Sequence, residues 1–126
     1  MFSNTPAFSG FAVDDLDAAR SFYRDTLGLE VTDEEMGILT LHLAGDRPTM
    51  IYPKPDFEPA TYTILNFQVG DVEAAVYELS SRGVEFERYE GFEQDEKGIA
   101  HTPDAGPDIA WFKDPAGNIL SVLSEA

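Results

Sequence analysis

Phe11-Ala12-Val13-Asp14-Asp15-Leu16-Asp17-Ala18-Ala19 returns later in the chain as Phe67-Gln68-Val69-Gly70-Asp71-Val72-Glu73-Ala74-Ala75, at a constant offset of 56 residues. Each copy opens with an alternating apolar run, the pattern of a strand with one buried face. Each then reaches an aspartate that can accept a hydrogen bond from the free N–H groups of a first helical turn, so Asp15 and Asp71 are expected N-caps. Beyond Asp15, the residues Leu16, Ala19, Tyr23 and Leu27 fall on one helical stripe that Gly28 ends. Beyond Asp71, Val72, Ala75, Val76 and Leu79 do the same before Gly83. One such strand–helix pair could be chance; two at matched spacing indicate a duplicated module.

Working outward, three further strands are expected in the first half, near Leu29–Thr32, Ile38–Ala44 and Thr49–Tyr52, with Gly45-Asp46 turning between the last two. The second half offers Val84–Arg88, Ile109–Lys113 and Ile119–Leu123. Asp114-Pro115-Ala116-Gly117-Asn118 joins the last two, since Pro fixes φ and Gly supplies a positive φ. The expected fold class is therefore α+β: two tandem βαβββ modules forming a cupped mixed sheet with helices on its outer face. Module one covers about 5–53, the linker 54–60 and module two about 61–125, all within a single domain 1–126. The long Tyr89–Asp108 segment has no counterpart in module one and reads either as a cover or as a flexible acidic loop.

Composition narrows function. The 126 residues include no cysteine, which closes disulfides, thiolate nucleophiles and cysteine-ligated zinc or iron–sulfur centres. Eight Lys plus Arg stand against 24 Asp plus Glu, a formal charge of −16. Such a chain is not expected to bind nucleic acid, which needs basic residues in excess. The acidity suits a solvated surface or a cationic ligand. With no basic leader followed by an apolar run, and no apolar stretch of bilayer length, a cytoplasmic protein without a membrane partner is expected.

Strand alternation assigns faces. Phe11 and Val13 should pack on the helix, turning Phe8, Gly10 and Ala12 the other way. Phe67 and Val69 should likewise pack, turning away Tyr62, Ile64, Asn66 and Gln68. Thr40 and His42 oppose Leu39, Leu41 and Leu43; Met50 and Tyr52 share a face, as do Ile119, Ser121 and Leu123. The parity of Trp111 is open between core and pocket wall. The expected lining is thus apolar and aromatic with a few polar groups: Phe8, His42, Met50, Tyr52, Tyr62, Ile64, Asn66, Trp111 and Ser121. It suits a planar or amphipathic organic ligand. No nucleophile–base–orienter set stands out. His42 is a candidate base, and His101 is expected to be solvated near Lys97.

The run from Phe11 to Leu29, with Phe22-Tyr23 and Leu27-Gly28-Leu29 at its end, and the run from Trp111 to Ser121 resemble the glyoxalase, bleomycin-resistance protein and extradiol dioxygenase superfamily, the vicinal oxygen chelate fold. The resemblance implies a metal at the centre of the cup, held by the first and last strands of each module. Carried over by spacing, the ligand places are Phe8, seven residues before Asp15; Ile64, seven before Asp71; Ser121, seven after Asp114; and Met50. Phe, Ile and Met offer nothing a hard or borderline cation would choose. No metal and no cofactor is therefore expected, and the family's metal-dependent reactions should be lost. What the resemblance then implies is a metal-free binding protein for a cationic or aromatic drug or metabolite. A homodimer is implied too, with Met1–Pro6 as an exchanged strand. Two other readings stay open: an enzyme using His42 as base on an aromatic or carbonyl compound, and a vestigial scaffold or interaction module.

Overall fold

Both expected caps form. In the computed structural model, which describes residues 1–101 and 106–125, the Asp15 carboxylate accepts from the Ala18 amide and the Asp71 carboxylate from the Ala74 amide, each at 3.1 Å. The chain divides into two units, Met1–Glu58 and Pro59–Ala126, and each carries one module.

In the first unit, β1 (Ser9–Val13) leads into α1 (Leu16–Ser21), which widens into a π-helical turn over Phe22–Thr26. There Leu27 N–H reaches back to the Phe22 carbonyl at 3.0 Å. The strands β2 (Glu30–Glu34), β3 (Ile38–Leu43) and β4 (Arg47–Pro53) follow, giving a four-stranded sheet in the order β1-β4-β3-β2. Only β1 and β4 run parallel. This is the expected βαβββ module, with strand ends shifted by at most two residues. Gly45 and Asp46 both take positive φ, 84° and 58°, as the tight hairpin between β3 and β4 requires. One face of the sheet is core: Val13, Leu39, Leu41 and Ile51 are fully buried together with Tyr23, whose ring lies 5.8 Å from that of Phe11.

In the second unit, β5 (Thr63–Val69) leads into α2 (Val72–Ser81), and β6 (Ile109–Lys113) and β7 (Ile119–Ser124) complete a three-stranded sheet in the order β5-β7-β6, with β5 and β7 parallel. Val72 and Val76 of α2 are buried, as are Ala110, Phe112, Leu120 and Val122 on one sheet face. The Asp114–Asn118 turn closes on the buried Asp114 carboxylate, which accepts from the Ala116 and Asn118 amides at 3.0 and 2.8 Å.

One expected strand is corrected. Val84–Arg88 does not form a ladder; it holds a single bridge, Phe86 opposite Phe112, and one bond from Glu87 N–H to the Trp111 carbonyl at 2.8 Å. The cause lies in the side chain of Gln94. Its amide nitrogen donates to the Glu87 and Gly98 carbonyls and its oxygen accepts from Tyr89 N–H. A side chain thus takes the backbone groups that a ladder would have used. The Tyr89–Asp108 segment continues as a hairpin, with bridges Gln94 to Ala100 and Ala100 to Ile109. Residues 102–105 of that segment lie outside the described residues.

Candidate functional site

The parity expected for the first unit holds. Registers place Gly10, Met50, Thr40 and Thr32 in one row across the sheet, with Ala12 beside Tyr52. This face is not core: Met50 and Tyr52 are half-buried, and Phe8, just ahead of β1, is 67% exposed. The missing side chain at Gly10 makes room for Met50. A Cβ there would come within 3.3 Å of the Met50 methyl carbon and carbonyl oxygen, so the thioether lies across β1. Phe8, Glu34, Ile38, Thr40, Pro48, Thr49 and Met50 line a cavity of about 380 Å³. Its walls are largely apolar, and Glu34 is its one ionisable group.

His42 stands on the same sheet face but does not line this cavity. Its Nε2 is 2.9 Å from the Thr32 hydroxyl, which itself donates to Glu34 at 2.8 Å. A hydroxyl that donates to Glu34 must accept from His42, which assigns the ring proton to Nε2. The remaining nitrogen, Nδ1, faces Glu30 at 3.6 Å. The imidazole is therefore hydrogen-bonded to β2 through Nε2.

In the second unit, Asn66, Ser121 and Trp111 form one row. Ser121 is fully buried, and its hydroxyl donates to the Asn66 side-chain oxygen at 2.6 Å. Trp111, whose parity the sequence left open, shares this face and is only 8% exposed, because the hairpin covers it. Tyr89 meets the indole edge-on at 5.4 Å, and Phe92 lies tilted over it at 5.0 Å. Sequence reasoning missed both residues; the only signal was their presence in the long segment. The Tyr89 hydroxyl is buried and has no hydrogen-bond partner among the described residues, an arrangement that costs about 1–3 kcal/mol. Burial, with Glu87 nearby, pushes its phenol above the ordinary value, so it stays a donor.

Three expected placements change. The β5–β7 register shifts between Thr63 and Leu65, so Thr63, not Ile64, stands opposite Ile119. A bulge spends one residue without a partner and resets the alternation, which removes Ile64 from the row parity expected. Tyr62 precedes β5 and is largely exposed. His101 is not simply solvated: Nε2 is 2.9 Å from Asp95 and Nδ1 is 3.1 Å from Asp108. The Asp95 bond, helped by Asp108, raises the imidazole above its ordinary value.

Do these residues suit the metal that the resemblance implies? Phe8 and Met50 in one unit and Ile64 and Ser121 in the other offer a single hard oxygen, already bonded to Asn66. Among the described residues, no group of three His, Asp or Glu side chains is placed to hold a metal ion. The residues do not fit the group. No helix among the described residues is long and apolar enough to cross a membrane.

Comparison with known proteins places this architecture. None of the curated proteins matches the chain. Among solved structures it is similar to the antibiotic-binding protein TnmS3 from Streptomyces sp. CB03234, at 24% identity over 98% of each chain with a TM-score of 0.70. It is similar to the fosfomycin resistance protein FosX from Listeria monocytogenes, at 14% identity over 98% of this chain and 94% of that one, TM-score 0.75. A glyoxalase family protein from Enterococcus faecalis aligns at 21% identity over 98% and 99%, TM-score 0.68. The family model matches residues 7–122, a span that holds both capped strand–helix pairs and the Asp114–Asn118 turn. The chain belongs to the glyoxalase/bleomycin resistance protein/dioxygenase superfamily.

Proposed function

We propose that this protein binds a small organic cation without a metal and without transforming it. The observation that carries the reading is the side-chain chemistry at Phe8, Met50, Ile64 and Ser121, where relatives that resemble it would hold a cation and this chain offers no ligand set. The cavity in the first unit supports the ligand class: apolar walls from Phe8, Ile38, Pro48 and Met50, and one carboxylate, Glu34. A net charge of −16 adds attraction at a distance. The similarity to an antibiotic-binding protein agrees with such a role. On this reading the protein works in the cytoplasm as a homodimer, the exposed Met1, Phe2 and Phe8 meeting a second copy.

The alternative of a His42-based enzyme has less support, since Nε2 is hydrogen-bonded to the Thr32 hydroxyl and the ring does not line the cavity. The test uses tetraphenylphosphonium as probe, followed by calorimetry. Glu34→Gln should weaken binding about fivefold or more, and raised salt should weaken it further. No binding by the native protein, or stoichiometric nickel, zinc, manganese or iron in freshly purified material, would overturn the reading.

A further inference from the structure

We propose that the Trp111 indole face now covered by Phe92 is a second binding subsite, for a flat aromatic compound bearing an oxygen acceptor, which displaces the Phe92 ring and receives the Tyr89 hydroxyl. The subsite lies wholly within the second unit and does not depend on the carrier reading above.

Three observations meet here. Phe92 covers an indole that is almost wholly buried, yet its own ring is 56% exposed. An aromatic ring packed at a tilt of 55° against the indole on one side and open to solvent on the other occupies space that a bound ring could take. Tyr89, whose ring meets the same indole at 5.4 Å, holds a buried hydroxyl with nothing to donate to among the described residues; buried donors are nearly always paired, and a ligand carbonyl would supply the missing acceptor. Finally, the segment is built to let Phe92 move alone. Its base is fastened by Gln94 to Glu87, Tyr89 and Gly98, by Ala100 to Ile109, and by His101 between Asp95 and Asp108. The tip, residues 90–93, belongs to no strand, and Gly91 turns it with φ 89°. Opening the tip leaves that base intact.

The chemistry of the ligand follows from the walls. Indole and phenol rings favour a planar π-system. Only an acceptor relieves the Tyr89 hydroxyl, so a ketone should be preferred to a hydrocarbon of the same shape. A site whose polar group goes unpaired rejects the analogue lacking its partner.

The chain has a single tryptophan, so its indole N–H gives one cross-peak in a nitrogen–proton correlation spectrum. Titration with 2-acetylnaphthalene should move that peak saturably, with 2-ethylnaphthalene binding about tenfold more weakly. Tyr89→Phe, which keeps the ring and its packing, should erase that difference. Phe92→Ala, a change at a half-exposed side chain, should tighten both compounds by about threefold or more, because the competing ring is gone. An unmoved indole peak, a ketone preference that survives Tyr89→Phe, or weaker binding in Phe92→Ala would each overturn the subsite. None of these results bears on tetraphenylphosphonium or on metal content, so either proposal can fail while the other stands.

Discussion

The two modules begin alike and end differently. Both place an aspartate cap 3.1 Å from an amide three residues on, and both pair the first strand in parallel with the last. Module one then closes a four-stranded sheet through two hairpin-linked antiparallel pairs. Module two keeps three strands and diverts the fourth into a hairpin that carries Tyr89 and Phe92 over Trp111. The repeated part is thus the strand–helix unit that buries the core, and the variable part is the sheet edge. An edge strand contributes least to the core and can be exchanged for a ligand-facing loop at low cost.

The largest expected effects measure how complete that exchange is. Leu41→Ala in β3 should cost about 2–5 kcal/mol and Phe112→Ala in β6 about 3–5, since both side chains are fully buried. Phe86, half-buried and held by one bridge, packs edge-on against Phe112 at 5.7 Å. Phe86→Ala should cost only about 1–2 kcal/mol. Denaturant unfolding reads all three; equal losses at Phe86 and Phe112 would mean that 84–88 supports the core as a full strand does, and the contrast would break.

A smaller effect sharpens the likeness. Asp15→Ala and Asp71→Ala should each cost about 1 kcal/mol, and by nearly the same amount, because each removes one cap bond of equal length. A difference of more than about 0.5 kcal/mol between them would show that the duplicated caps no longer carry equal load.

Those caps were readable in advance because the information is local: an aspartate, a three-residue reach and an apolar stripe. The faces of β1, β3 and β4 followed for the same reason, since alternation has a fixed period. Three things were not readable. Gln94 satisfying the backbone of residues 87, 89 and 98 is a non-local use of a side chain that no period encodes. The shift at Thr63/Leu65 resets alternation with no glycine or proline to announce it. Trp111 needed its cover: a tryptophan on a strand is core or pocket wall depending on what packs above it, and Phe92 lies 19 positions earlier in the chain.

The smallest expected effect belongs to a bond that module two has added. Hydrogen bonds from Asp95 and then Asp108 raise His101, so its folded value lies above the ordinary 6.5. A group raised on folding contributes its stabilisation fully below the unfolded value and loses it as pH climbs through the folded one. Asp95 runs the other way. Burial opposes its charge, but His101 and the Ile99 and Lys97 amides outweigh that, and its folded value falls below the ordinary 3.8. Its contribution is present above that ordinary value and fades as pH falls through the lowered one. The clasp is therefore complete from roughly pH 4 to pH 6.5 and loosens on the alkaline side. Both partners are solvent-accessible, so the effect on global unfolding should be slight. It should be clearer locally, in hydrogen exchange at the Ile99 and Ala100 amides, whose protection should hold up to about pH 6.5 and fall as pH climbs beyond it, after correction for intrinsic rates. His101→Gln should flatten that dependence, and an unchanged pH profile in the variant would show that Gln94 and the Ala100–Ile109 pair fasten the hairpin without His101.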